Sequence, residues 1–230
     1  MELKARRNSN IELLRIIAMA MIIAHHCALY GFFPEEVQYS SNKWIVDLLF
    51  SYGKVGVSIF VLITGYYMTE QGFRVSRALR IAGQVWFYSL CGLAVVMLIP
   101  DVSLEKNDIV QSFFPIVNGQ YWFASTYLFI ILLSPAINVF VHNAGRMLLQ
   151  GTMAVLIIAC LALPTLFGKA NFYSPICWFT LLYITGSYIR LWRQDAGRPE
   201  KHFTWAVLWA LTIPMYAWGG QYPFKTDRTY

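Results

Sequence analysis

The sequence predicts an all-α fold, a polytopic transmembrane helix bundle with about seven spans of ~20 apolar residues each. Three observations predict it. Of the 230 residues, 57% are hydrophobic and only 13% charged, against roughly 25% charged in ordinary soluble domains; the mean hydropathy is +0.49. The apolar residues come in long runs separated by short polar connections. The basic residues cluster on alternate connections, the pattern that orients multi-pass chains. No repeat, low-complexity tract or soluble domain is evident, so 1–230 reads as one transmembrane domain whose site must be built from helices and connecting loops.

The first span lies near 11–32, within the run Ile11 to Phe33, after a basic and then polar amino terminus. No small-x-small cleavage site follows that run, so it reads as retained rather than as a signal peptide. Segment 44–52 is too short to span and is expected at the membrane interface. The second span lies near 54–70, and the third near 80–99, stopped by Pro100. The fourth, near 121–141, opens on Tyr121 and Trp122, as aromatic belts do, and holds Ser134-Pro135, which should kink its inner half. The fifth, sixth and seventh fall near 147–166, 174–191 and 203–219.

If these spans alternate, eleven basic residues share one side: Lys4, Arg6, Arg7, Arg74, Arg77, Arg80, Arg146, Arg190, Arg193, Arg198 and Lys201. The opposite side receives Lys43, Lys106, Lys169, Lys225 and Arg228, with the acids Glu35, Glu36, Asp101, Glu105 and Asp108. The positive-inside rule then puts the amino terminus in the cytoplasm. The net charge of +6 therefore reports topology, and no nucleic-acid partner is implied. The four cysteines (Cys27, Cys91, Cys160 and Cys177) lack metal-ligand or disulfide-framework spacing and read as small apolar residues of membrane helices.

Ionisable groups inside a span are costly and usually carry function. In the first span Arg15 and His26 are eleven residues apart, about three turns, so they share a face to within roughly 20° and stack roughly 16 Å apart. Glu12 is a same-face neighbour of Arg15. Imidazole is a general base near neutral pH, which makes His26, Arg15 and Glu12 the candidate catalytic set. Packing of His26 against a neighbouring helix and snorkelling of Arg15 remain open on the residues alone. His25 points about 100° away from His26 and ranks below it.

Arg74, Arg77 and Arg80 form a basic comb at three-residue spacing, a pattern suited to the phosphates of a cytoplasmic ligand, because guanidinium binds phosphate through paired hydrogen bonds. Anchoring to lipid phosphates is the alternative. Gly53, Gly56 and Gly65 permit close helix approach, and Lys54 is expected at the outer edge as a headgroup anchor. No G-x-x-x-x-G-K-[ST], G-x-S-x-G or H-E-x-x-H occurs, which argues against an ATPase, a serine-elbow hydrolase and a zincin.

Four stretches in this order resemble the integral-membrane acyltransferase 3 family. Arg15 and His26 match its Arg/Lys, ten residues, then His. Glu12 to Ala18 match its ELLRxIA. Gly53 to Tyr66 match G-x-V-G-V-x-x-F-F-x-x-S-G-Y, with Val61 at the second Phe and Thr64 for the Ser. Arg77 and Arg80 match its R-x-x-R, and Tyr121 to Pro135 a Tyr-Trp-Phe entry ending in Ser-Pro. The resemblance implies a bacterial inner-membrane enzyme, with acetyl-CoA as cytoplasmic donor, no metal, and a hydroxyl of an envelope glycan or glycolipid as acceptor. It implies His26 as base, Arg15 as its partner, and Arg77 and Arg80 on the CoA phosphates, with Arg74 beside them. Family members carry more spans than this chain accommodates, so a member incomplete at its carboxyl terminus is expected. A transporter or flippase of a polar or lipid-linked substrate and a non-catalytic remnant are the competing readings; the chain lacks the two related halves common in transporters.

Overall fold

The computed structural model describes residues 9–31, 43–100, 102–163 and 174–192. Among them every regular element is helical: α1 (Ser9–Tyr30), α2 (Lys43–Gln71), α3 (Val75–Met97), α4 (Lys106–Phe113), α5 (Trp122–Asn143), α6 (Arg146–Ile157) running into a π-helical turn (Ile158–Ala162), and α7 (Pro175–Trp192). The expected all-α class is what the chain adopts. Four helices (α1, α2 from Trp44, α3 and α5) are long and apolar enough to cross a membrane. The expected fifth and sixth spans correspond to the shorter α6 and to α7. The expected seventh, 203–219, lies outside the described residues.

The segment expected at the interface, 44–52, is the first part of α2 rather than a separate element. Nothing between Trp44 and Tyr52 breaks a helix, and an interior glycine such as Gly53 costs only about 1 kcal/mol. At 29 residues and ~1.5 Å rise per residue, α2 outruns a ~30 Å hydrocarbon core. The short α4 has no counterpart among the expected elements. It is closed by a reciprocal box in which Asp108 Oδ2 accepts from the Glu105 amide at 3.0 Å while the Glu105 side chain accepts from the backbone at Asp108, the arrangement that satisfies orphan donors at a helix start.

The chain divides into two units, 1–67 with 145–230, and 68–144, the boundary falling inside α2. In the first unit α7 is the core: Trp178 and Phe179, and then every residue from Leu181 to Tyr188, are buried. It runs parallel to α2 through a reciprocal glycine crossing. A Cβ on Gly65 would strike the Tyr183 backbone, and one on Gly186 the Leu62 carbonyl and the Tyr66 amide. Ser187 Oγ donates across the crossing to the Gly65 carbonyl at 3.3 Å. Small residues let membrane helices approach this closely. α6 runs antiparallel to α7, with Thr185 beside Met153 and Cys177 beside Cys160.

In the second unit α3 packs on α4 and α5, and Ser89 Oγ donates to Gln120 Oε1 at 3.3 Å. α5 keeps Pro135 in its interior. Proline removes the amide that Ile131 O would otherwise accept, and Ser134 Oγ donates to that carbonyl instead, at 2.7 Å. Two further α5 side chains, one turn apart, close the end of α2: Asn138 Nδ2 donates to Met68 O at 2.9 Å, and His142 Nε2 bonds Thr69 O at 3.0 Å. The last four carbonyls of any helix lack intrahelical donors, and here two of them find partners.

Candidate functional site

α1 is unbroken from Ser9 to Tyr30, so Arg15 and His26 do occupy one helix face, held roughly 16 Å apart by eleven residues of helix. The helix connects them rather than bringing the side chains into contact. Arg15 Nη1 donates to Glu12 Oε1 at 3.1 Å, so Glu12 is the arginine's partner. The guanidinium also lies 5.2 Å from the Tyr67 ring centroid, within reach of a cation–π contact.

The two histidines face different surroundings. His25 turns to α2: its Nδ1–H donates to the Phe50 carbonyl, its ring sits 4.8 Å from that of Phe50, and a Cβ on Gly53 would occupy the imidazole's place. A hydrogen bond from one ring nitrogen decides the tautomer, so Nε2 carries the lone pair of neutral His25. His26 is exposed, stacked on Tyr30 at 5.8 Å with an interplanar angle of 10°, and edge-on to His25 at 5.4 Å. α1 and α2 are therefore antiparallel, with His25 against Phe50 at one end, Ala18 and Ile22 against Gly56 in the middle, and Arg15 against Tyr67 at the other.

The glycines of the Gly53-to-Tyr66 motif now have separate duties. Gly53 makes room for His25, Gly56 for the α1 backbone, where a Cβ would lie 2.5 Å from Ala18 O, and Gly65 for α7. Lys54, expected at the outer edge as a headgroup anchor, has a neighbour inside the first unit. Its Nζ lies 5.1 Å from the Trp178 ring centroid, turned onto α7.

The basic comb belongs to the second unit. Arg74 is the N-cap of α3, in extended backbone, and only Arg77 and Arg80 are helical. The expected three-toothed comb is thus two teeth on a helix face plus one at its entry. Arg77 is half-buried and donates to Gln71 Oε1 at 3.1 Å; Arg74 and Arg80 are exposed. Basic side chains at a helix start, where backbone amides point outward, suit an anion.

Sequence reasoning missed the polar set at the other end of the first unit's long helices. Arg190 Nη1 donates to the Tyr66 hydroxyl at 3.1 Å. Arg146 Nε and Gln150 Nε2 both donate to the Tyr188 hydroxyl, at 3.1 and 2.9 Å. Arg146 and Arg190 were legible only as cytoplasmic anchors; Tyr66, the last position of the glycine motif, was the available signal. Among the described residues no group of three or more His, Cys, Asp or Glu is placed to hold a metal ion, and the four cysteines are free thiols.

A family model described as an acyltransferase domain matches residues 8–229, nearly the whole chain. No curated protein and no solved structure matches it.

Proposed function

The chain belongs to the integral-membrane acyltransferase 3 family, and on that footing we propose that it transfers an acetyl group from acetyl-CoA to a hydroxyl of an envelope saccharide or glycolipid, in a bacterial inner membrane with the amino terminus cytoplasmic. The observation that carries this reading is α1 itself: one unbroken helix bearing Arg15 near its start and His26 near its end. A separation of roughly 16 Å along the axis suits a donor that is long, anionic at one end and reactive at the other. In this reading His26 takes the reacting end, with Arg15, ion-paired to Glu12, as its partner on the same helix face; Arg77 and Arg80, beside Arg74, are by themselves suited to phosphates.

In the proposed step His26 accepts the proton of the acceptor hydroxyl as that oxygen attacks the thioester carbonyl carbon. The carbon–sulfur bond then breaks, and the imidazolium returns its proton to the departing CoA thiolate. Atoms and charge balance without a metal or redox partner. The test is transfer of radiolabelled acetyl from acetyl-CoA in membranes containing the chain or its His26→Ala form. Label entering glycan or glycolipid only with His26 intact supports the assignment; equal labelling by His26→Ala refutes it.

A further inference from the structure

The antiparallel helices α6 and α7 touch in one register along their length. Arg146 and Gln150 meet Tyr188 at one end, Met153 meets Thr185 in the middle, and Cys160 meets Cys177 at the other. The two thiols are in hydrogen-bonding contact. Cys160 is buried, whereas Cys177, the third residue of α7, is partly exposed. Cys160 also sits at the middle of the π-helical turn Ile158–Ala162. Such turns are rare and occur frequently at functional sites. The other two cysteines, Cys27 on α1 and Cys91 on α3, are exposed.

A cysteine that only fills space in a membrane helix behaves as a small hydrophobe and needs no second thiol against it. We propose that Cys160 and Cys177 form a disulfide that ties α6 to α7 on the extracytoplasmic side of the membrane. The side rests on the orientation proposed above. With the amino terminus cytoplasmic and the spans alternating, α6 runs outward and α7 returns, so the two cysteines lie at the outer end, where disulfides persist. The bond itself does not depend on acyl transfer. The oxidant is a dithiol–disulfide protein of that compartment. Cys177, the accessible sulfur, attacks it as thiolate, forms a mixed disulfide and expels one of the oxidant's sulfurs as thiolate. Cys160 then attacks the Cys177 sulfur and expels the other. Two electrons pass from the pair to the oxidant, one sulfur–sulfur bond breaks as one forms, and the two protons leave with the reduced oxidant. Cys177 precedes Trp178, on which Lys54 rests, and Lys54 follows the Gly53 that seats His25. The bond therefore steadies the end of the first unit that carries His26.

The test is disulfide mapping on the full chain in bacterial membranes. Cells are quenched in acid, the protein is denatured, free thiols are alkylated with N-ethylmaleimide, and the unreduced digest is read by mass spectrometry. The wild type should give a linked peptide pair joining Cys160 to Cys177, which dithiothreitol converts to two separate peptides. In Cys160→Ala the Cys177 thiol should be alkylated instead, and in Cys177→Ala the Cys160 thiol. Cys27→Ala combined with Cys91→Ala should leave the linked pair in place. Alkylation of both Cys160 and Cys177 in the wild type overturns the inference, and so does a bond from either to Cys27 or Cys91. A bond that appears only in cells lacking cytoplasmic thiol reductases puts the pair on the cytoplasmic side and overturns it as well. The second measurement is thermal unfolding of the purified chain, oxidised with glutathione disulfide or reduced. Closing a short loop should raise Tm by roughly 5–10 °C, and coincident values overturn the tie between helices. Acetyl transfer by a chain with both thiols free removes this bond and leaves the enzyme; a mapped bond without any transfer does the reverse.

Discussion

Gly186→Ala tests the crossing on which the first unit is built. The new Cβ would meet the Leu62 carbonyl and the Tyr66 amide of α2, closer than real Cβ contacts come, and both are backbone atoms that no rotamer change can move aside. Alanine raises helix propensity over glycine by up to about 1 kcal/mol, whereas forcing a packed interface apart costs about 1–3 kcal/mol or more. The steric term should win, leaving a net loss of about 1–2 kcal/mol. For a chain of this size that lowers Tm by roughly 2–8 °C. Gly151→Ala on α6 is the internal control, since a Cβ there meets nothing within 4 Å and should be neutral or stabilising. The assay is thermal unfolding in micelles. A Tm for Gly186→Ala equal to or above that of Gly151→Ala would refute the close-crossing account.

The same geometry yields three more expected outcomes. Arg77→Ala combined with Arg80→Ala should raise KM for acetyl-CoA at least about tenfold and leave the acceptor KM in place; an unaltered donor KM rejects the comb as a phosphate clamp. Asn138→Leu and His142→Leu should each release one carbonyl at the end of α2, cost about 0.5–1.5 kcal/mol, and speed hydrogen exchange in its last turn; unchanged exchange rejects the capping role. Glu12→Gln breaks an ion pair whose side chains are 38% and 47% exposed, so stability should fall by no more than about 0.5 kcal/mol. A large fall in transfer activity with that small change in stability would mark Glu12 as acting on Arg15 in the reaction, and an unchanged rate would remove Glu12 from the site.

Much of this arrangement was legible because membrane helices expose their logic in composition. Apolar run length alone predicts α1, α3 and α5, and the spacing of Arg15 and His26 survives intact because nothing in α1 breaks the helix. The beginning of α2 escapes such a reading because hydropathy measures where a helix meets lipid, not where it starts: Trp44 to Tyr52 is too short to span alone and is helical by continuity with the Gly53–Gln71 stretch beyond it. Lys54 escapes it for a related reason. A lysine near the edge of an apolar run looks like an anchor until the residue it faces is known, and that residue, Trp178, is more than a hundred positions away. The contacts of Arg146 and Arg190 were hidden by the positive-inside pattern, because an exposed anchor and an arginine bonded to a tyrosine of another helix look alike in a sequence and differ only in what other helices bring to them.

The pair His25 and His26 carries that distinction into the candidate site. Facing on an isolated helix ranks His26 first because it shares the Arg15 face, and the fold adds a reason from the neighbouring residue. Once the Nδ1–H of His25 is committed to the Phe50 carbonyl and its ring to the gap left by Gly53, His25 is the residue that sets the rotation of α1 against α2. The rotation of α1 then dictates where the next side chain, about 100° further round, can point. His26 is left exposed, with ring contacts only to His25 and Tyr30 among the described residues, able to meet a substrate hydroxyl without first surrendering a bond to the protein. A base that must take up a proton and return it is better served by that freedom than by the fixed donor bond of its neighbour, so in the proposed transfer His25 would position and His26 would react, rather than the two competing as bases.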